Sequence, residues 1–443
     1  MATALPSRAQ EIVGTPHFLT DAATTSAHAV DGVRPAAVAR PHTEEETAAL
    51  LGASGETGAA VLPWGAGSHQ HLGGTPARVD LVIETTRQTG ITDYNPDDYV
   101  VAVRAGTRLR DLQSALGARH QWLPIDPPGA ETATIGGLIA ANRNGPRRLL
   151  WGSIRDLLIG LRVALPTGQA IKAGGKVVKN VTGYDLTKLF IGSFGSAGVI
   201  TEATFKISPR PGEGLTIFTT VPDAAAAHRL SSTVLGSYLL PSALEAANHA
   251  ALRRLTAAAG IGEPPAEGWG VLLLVEGLPE SQARHVDEMR RLVQGAGRIE
   301  IVAGTAHTAL WKAIAEFPSP ATQPGRVVCR AGGPIARWID LVHALDASRT
   351  GGPIEVLAHA GSGLLYAACG AEDGPAMAQT LERGAARTSG YTAVEVAPSA
   401  IKGTLSLWGA PPGDGALTLM RRLRAAYDPR GIMVPGRLGW GLS

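Results

Sequence analysis

A chain of 443 residues is long enough for two cores, and 44% apolar residues is an ordinary supply for building them. Lys+Arg 40 against Asp+Glu 38 leave a formal charge of +2, which removes any electrostatic case for nucleic acid or an anionic membrane surface. Two cysteines, Cys329 and Cys369, exclude a disulfide framework and an iron–sulfur cluster held by this chain alone.

Residues 1–34 read as a polar, Ala/Thr-rich lead-in without the apolar core of a signal peptide. Pro35–Ala39 reads as a strand. Thr43-Glu44-Glu45-Glu46 has capping-box spacing and opens a helix that stops at Gly55 or Gly58. Ala59–Leu62 is a short strand, and Pro63-Trp64-Gly65-Ala66-Gly67-Ser68 is the loop behind it. Leu81–Glu84 and Val100–Arg104 have strand character. Arg108–Leu116 has helical spacing, with Leu109, Leu112 and Leu116 on one face.

The loop at 63–68 is not a Rossmann fingerprint. Gln70 stands where the third glycine belongs, and no helix pattern follows. Consecutive N–H groups in such a turn still form an anion-binding nest. His69 and His71 nearby lack a third metal ligand.

Glycine is densest between 126 and 207. The stretch carries Asp126-Pro127-Pro128-Gly129, Thr134-Ile135-Gly136-Gly137, Asn142-Arg143-Asn144-Gly145, Trp151-Gly152-Ser153 and Asp156. It continues through Gly174-Gly175-Lys176-Val177-Val178-Lys179-Asn180-Val181-Thr182-Gly183-Tyr184-Asp185 to Gly192-Ser193-Phe194-Gly195-Ser196-Ala197-Gly198-Val199-Ile200. Between these lie a helix at Ile135–Ala141, a strand at Leu157–Leu165, a helix at Leu186–Ile191 and a strand at Val199–Ile207. So many unhindered backbone points in one folded segment suit a large ligand laid against main chain.

Pro209–Gly214 is the expected domain boundary. Beyond it, strands near 215–220, 271–276, 299–302, 326–330, 354–358, 364–368 and 392–396 alternate with helices near 224–235, 281–293, 306–317, 334–345 and 375–388. The simplest reading is an α+β sheet with helices on one face. Residues 397–412 are a Pro/Gly-rich connector. A helix at 416–427 then precedes Asp428-Pro429-Arg430-Gly431 and Pro435-Gly436-Arg437. The longest apolar runs, such as Val271–Val275, are too short to span a bilayer.

The order of Pro-x-Gly-x-Gly-Ser (63–68), Asp-Pro (126–127), Thr-Ile-Gly-Gly (134–137), Trp-Gly-Ser (151–153), Lys-Asn-Val-Thr-Gly-Tyr-Asp-Leu (179–186), Gly-Ser-x-Gly-x-x-Gly-Val-Ile-Thr-Glu (192–202) and the Asp-Pro-x-Gly…Pro-Gly-Arg tail resembles the vanillyl-alcohol-oxidase-type (PCMH-type) FAD enzymes. The resemblance covers about residues 35–211 and the tail. Within that family, residues 174–185 look most like the FAD-binding E subunits of bacterial glycolate oxidases. The sister D subunits and the D-lactate and D-2-hydroxyglutarate dehydrogenases are also similar.

The resemblance implies an α+β protein: a two-subdomain FAD-binding domain at 35–211, a ferredoxin-like substrate or cap domain at 212–412, and a C-terminal helix and tail at 413–443 returning to the FAD domain. It places Gly65, Ala66, Gly67 and Ser68 around the pyrophosphate. Thr134, Gly136, Gly137, Asn142 and Gly145 are expected along the pyrophosphate and ribityl side, with Asp126 also on the cofactor. Gly152, Ser153 and Asp156 follow the dinucleotide, and Gly198, Val199 and Ile200 the adenosine half. Covalent attachment in the family uses a His where Ser68 stands here, so FAD is expected to be non-covalent.

The substrate side departs from the family. Its 2-hydroxy-acid dehydrogenases carry His-x-Gly-Asp-Gly-Asn-x-His. This chain reads His359-Ala360-Gly361-Ser362-Gly363-Leu364-Leu365-Tyr366. Leu364 and Tyr366 are poor ligands for a divalent cation, and no metal residue is assigned. Oxidising a 2-hydroxy acid needs a base and a cation for the carboxylate. His359 is the candidate base, and Lys176, Lys179, Arg143 or Arg330 the candidate cation.

The implied function is the FAD-binding subunit of a glycolate oxidase or dehydrogenase complex. Such a complex oxidises glycolate to glyoxylate and passes electrons to an iron–sulfur subunit beside a homologous flavoprotein. The alternatives are a self-sufficient enzyme for another 2-hydroxy acid such as D-lactate, and a flavin relay or scaffold subunit. The expected location is cytoplasmic, peripheral to the inner face of the cell membrane only through partners.

Overall fold

The computed structural model describes residues 4–176, 184–293, 298–347 and 351–442. Three β-sheets organise the chain. The first has the order Phe18–Leu19, Ala37–Ala39, Leu81–Glu84, Val61–Trp64, and its last three strands run parallel. The helix Glu44–Thr57 joins two of them. Thr43 caps it by accepting from the Glu46 N–H at 3.1 Å, while the Glu46 carboxylate accepts from the His42 N–H. Gly58, at φ +68°, ends it in the left-handed conformation.

The lead-in is not an appendage. Ala4–Val13 is a helix whose Ala9 and Val13 are buried against Leu50 and Leu51 of the first core. The helical face was hidden in the sequence by short alanine and serine side chains, which give little hydrophobic contrast.

The second sheet is antiparallel, in the order Ile91–Asn95, Val100–Arg104, Val199–Lys206, Leu158–Ala164, Ala170–Gly174. The helix Leu109–Gly117 packs beneath it on Leu109, Leu112 and Leu116, as its spacing predicts.

The third sheet has eight antiparallel strands, in the order Ile299–Val302, Leu215–Val221, Trp269–Val275, Ala243–Asn248, Glu355–His359, Leu364–Gly370, Arg326–Gly332, Tyr391–Val396. Each half has the 4-1-3-2 strand order of the ferredoxin-like arrangement; the second runs β-α-β-β-α-β, and the first adds the helix His249–Ala259 between its second and third strands. The halves join through the pair Glu245↔His359 to Ala247↔Leu357. The crossover helices Ala224–Leu235, Pro279–Leu292, Trp338–Asp346 and Gly374–Arg387 all feed one core with Ile217, Leu273, Ala358 and Leu365.

Helices do not lie on one face only, as the sequence suggests. His249–Ala259 and Gly304–Ala315 bury Leu252, Leu255, Leu310 and Trp311 against the opposite face, beside Phe218, Leu272 and Tyr366. The tail crosses back to the first sheet. Met433 bridges Val61, and Val434 N donates to Val61 O at 2.9 Å. Among the described residues no helix is long and apolar enough to cross a membrane.

Candidate active site

The loop after Val61–Trp64 and the short helix Ile135–Ala140 face each other across an open cleft. Thr134 caps the helix, its hydroxyl accepting from the Gly137 N–H at 3.3 Å. The main-chain N–H groups of Ala66, Gly67 and Ser68 donate to no protein acceptor among the described residues. Three adjacent free donors beside a cleft form an anion nest.

Two glycines are required by their backbone. Gly67 has φ +78°, and a Cβ there would stand 2.8 Å from the Trp64 ring. Gly198 has φ +148°, and its Cβ would stand 2.6 Å from the Ala164 carbonyl oxygen. Both let main chain form the cleft wall.

Of the residues expected at a cofactor, Gly65, Ala66, Gly67, Ser68, Thr134, Gly136, Gly137, Gly198, Val199 and Ile200 line this cleft. The other six lie outside its lining. Asn142 sits one residue past the lining, at φ +48°, and its Oδ1 accepts from Asn144 at 3.0 Å. Gly145 packs directly on Asp126. Gly152 packs against Asp156, whose carboxylate accepts from the Ser153 N–H and hydroxyl. Arg437 was missed as a site residue although its Pro-Gly-Arg motif is plain. It lines the cleft and donates to the carbonyls of Gln70 and Gly74 at 2.9 and 3.2 Å. Burial pushes its guanidinium down to about 10.

His69 also lines the cleft, with Nε2 3.2 Å from the Pro128 carbonyl. Burial, then the charge of Arg143, pushes it down to about 3, so the ring is neutral. His71 behaves alike, for the same first cause.

Beyond His69 the cap sheet meets the first domain across a stripe of polar side chains. Glu245, His359, Tyr366 and Arg330 lie on four adjacent strands, all on the face opposite Ala246, Ala358, Leu365 and Cys329. Glu245 and His359 are cross-strand partners, with Nδ1 to Oε2 at 2.5 Å, although the angles fall short of a hydrogen bond. Both are buried, and burial raises the Glu245 carboxyl above its ordinary range. The His359 ring meets Tyr366 edge-on at 5.2 Å, and Tyr366 sits opposite Arg330 across the strand pair.

The fifth strand supplies Glu395 at a slip in register: Val328 pairs with Val396 but Cys329 with Val394. Such a bulge re-aims a side chain. Glu395 accepts from Arg143 of the first domain and lies 3.0 Å from Arg330 Nε. Its own burial opposes ionisation, yet the two guanidiniums hold it at about 2. A third guanidinium, Arg147, joins Asp126 at 3.3 Å to Glu276 of the cap at 2.8 Å.

Of the four candidate cations, Arg143 and Arg330 thus converge. Lys176 pairs with exposed Asp93, and Lys179 lies outside the described residues. Among the described residues no three His, Cys, Asp or Glu side chains converge as metal ligands. Glu245 and Glu395 were missed by sequence reasoning. Only their placement on apolar strands could have flagged them.

The cleft fits FAD. Its free N–H groups suit a pyrophosphate, Arg437 adds positive charge, and the wall is main chain.

Comparison with known proteins agrees. Residues 35–174 match the family model for the FAD binding domain, and 412–438 that for the C-terminal domain of FAD linked oxidases. The chain is 27% identical over 426 residues to glycolate oxidase subunit GlcD of Bacillus subtilis, covering 91% of this chain and 89% of that protein. It is 43% identical to glycolate oxidase subunit GlcE of Escherichia coli over only 129 residues, 29% of this chain and 37% of that protein. A D-lactate dehydrogenase of Archaeoglobus fulgidus matches at 32% over 274 residues, 60% and 59% of the two chains. The fold matches p-cresol methylhydroxylase with a TM-score of 0.73 at 15% identity, over 98% of this chain and 96% of that one. The 4-ethylphenol oxidase of Gulosibacter chungangensis matches with a TM-score of 0.74 at the same identity and coverage. The chain is therefore an FAD-linked oxidoreductase with the α+β fold of p-cresol methylhydroxylase-type flavoproteins.

Proposed function

We propose that the chain is the FAD-holding, electron-relaying subunit of a complex that oxidises a small 2-hydroxy acid, glycolate being the leading candidate. A homologous flavoprotein subunit oxidises the substrate, and an iron–sulfur subunit takes the electrons onward. One observation carries this reading. Each of the three guanidiniums between the cleft and the cap sheet, on Arg143, Arg330 and Arg147, already meets a carboxylate of this chain. None is left over for a substrate carboxylate. Two cysteines are too few to hold an iron–sulfur cluster, which supports a separate iron–sulfur subunit.

FAD, when bound, accepts and passes on the electrons. The chain's own residues do the rest. The N–H groups of Ala66, Gly67 and Ser68 hold the pyrophosphate, and Thr134, Gly136 and Gly137 form the facing wall. Gly198, Val199 and Ile200 close the far wall. Asn142, Gly145, Gly152, Ser153 and Asp156 brace these segments from behind, as does Asp126. FAD is held non-covalently, because Ser68 stands at the attachment position and the His69 Nε2 is against Pro128.

The His359–Glu245 pair favours a second reading, in which the chain alone oxidises a 2-hydroxy acid with His359 as base. Anaerobic titration separates the two. On the relay reading, glycolate leaves the flavin of the isolated chain oxidised, and bleaching follows addition of the sister flavoprotein. Bleaching of the isolated chain by glycolate or D-lactate would establish the second reading instead.

A further inference from the structure

Most buried charge in this molecule has an evident partner. The Arg143–Glu395–Arg330 triad stands out because its acid comes from a β-bulge and its two bases come from different domains. Glu395 is 2% exposed and Arg143 3% exposed, while the Arg330 side chain keeps 22% of its surface exposed, so the carboxylate is buried and the group meets solvent on the Arg330 side. It adjoins the cofactor cleft, since both Arg143 and Glu395 act electrostatically on His69 of the cleft lining.

We propose that Glu395 is a specificity-determining residue: it fills, with the chain's own carboxylate, a two-guanidinium site that would otherwise take a small free carboxylate. This deepens the relay reading and rests on it. Two guanidiniums converging on one carboxylate are the geometry by which proteins recognise such an anion. Only the source of the anion differs here. The Arg143 Nε has no partner, and Arg330 Nε meets Glu395 by distance without hydrogen-bond geometry, so a better-fitting anion would gain bonds. Alternation from Val394 puts Glu395 on the Arg330 face, and the bulge then keeps Val396 on that same face beside it, so Glu395 is the extra residue that no residue of the neighbouring strand pairs with.

The size of the vacated space follows from chemistry. Glu395→Ala removes four heavy atoms, two carbons and two oxygens, which are those of acetate. Glycolate adds one hydroxyl. The variant leaves a buried guanidinium, on Arg143, and a partly buried one, on Arg330, without a carboxylate, which is destabilising until an anion returns.

The FAD-loaded chain is therefore melted in acetate, in glycolate and in chloride at matched ionic strength. Glu395→Ala is expected to gain about 4 °C or more in acetate or glycolate over chloride, and the wild type less than about 1 °C. The double variant Arg330→Ala, Glu395→Ala is expected to lose the gain. Should Glu395→Ala not fold in buffer, its refolding yield in acetate against chloride reads the same property. Equal melting or equal yield in the two salts overturns the proposal, as does an acetate gain that survives loss of Arg330. The relay reading fails separately, if glycolate bleaches the wild-type flavin.

Discussion

Gly67 concentrates the demands of the cofactor loop on one atom. Its φ of +78° is unfavourable for any L side chain, and the Trp64 ring already occupies the space of a Cβ. Gly67→Ala should therefore cost roughly 1–2 kcal/mol locally and tilt the neighbouring N–H donors. The expected outcome is a chain with normal far-ultraviolet circular dichroism that loses most of its bound FAD on gel filtration. Retention of FAD at the wild-type ratio of visible to ultraviolet absorbance would remove Gly67 from the binding loop. This residue was legible in the sequence because glycine spacing records a backbone need directly. Glu245 was not. It stands in Ala243–Asn248, an alanine-rich run that carries no strand signal of its own. Its strand exists because Trp269–Val275 and Glu355–His359 offer edges on both sides, a tertiary cause that local propensity does not contain.

At the scale of elements, strongly patterned segments were readable and composite ones were not. Leu81–Glu84 and Val100–Arg104 form as expected, and Thr43 caps its helix as the spacing predicts, although the Glu46 carboxylate accepts from the His42 N–H and not from that of Thr43. The buried pairing at the end of Leu81–Glu84 joins three distant segments and gave no sequence signal. Glu84 accepts from Arg40 Nε at 2.8 Å and meets His28 Nε2 at 3.0 Å. Burial resists the charge on Glu84, but His28, Thr86 and Arg40 together hold it at about 2. The hydrogen bond to Glu84 in turn raises His28 above its ordinary 6.5. The signs are opposite. Glu84 contributes stability that is present above about 4.5 and lost as pH falls towards 2. His28 contributes stability that is full below 6.5 and lost as pH rises through its folded value. The wild type should therefore exceed His28→Gln in melting temperature most between about pH 5 and 6.5, and the gap should narrow as pH rises above 6.5 through the folded value of His28. A gap independent of pH would mean that His28 packs there uncharged.

For the whole molecule, the question is what holds the cap sheet over the cofactor domain. Among the polar ties that cross that boundary are Arg143 to Glu395, the Gly129 N–H to Glu316 at 2.7 Å, Lys402 to Asp31 at 2.7 Å, and Arg147 to Glu276. Arg147 is the informative one, because it also holds Asp126 of its own domain at 3.3 Å. Glu276 has one carboxylate oxygen buried without a partner, so removing Arg147 strands a nearly uncompensated charge at the interface. Breaking a buried pair in this way costs roughly 3–5 kcal/mol. If that cost falls on the interface, local opening there becomes more frequent by a factor on the order of 100 to several thousand. Arg147→Ala should then speed hydrogen exchange in peptides spanning 127–133 and 270–277, while peptides of the second sheet, such as 199–206, exchange as before. FAD content should be kept, because Arg147 does not line the cofactor cleft. Uniform acceleration across both regions would instead make the pair a support of global stability. The two outcomes bear on function as well. On the relay function proposed above, a cap that opens independently of the cofactor domain would give a partner flavoprotein access to the polar stripe at His359 and Glu395, and a rigid one would confine electron exchange to the outer edge of the cleft.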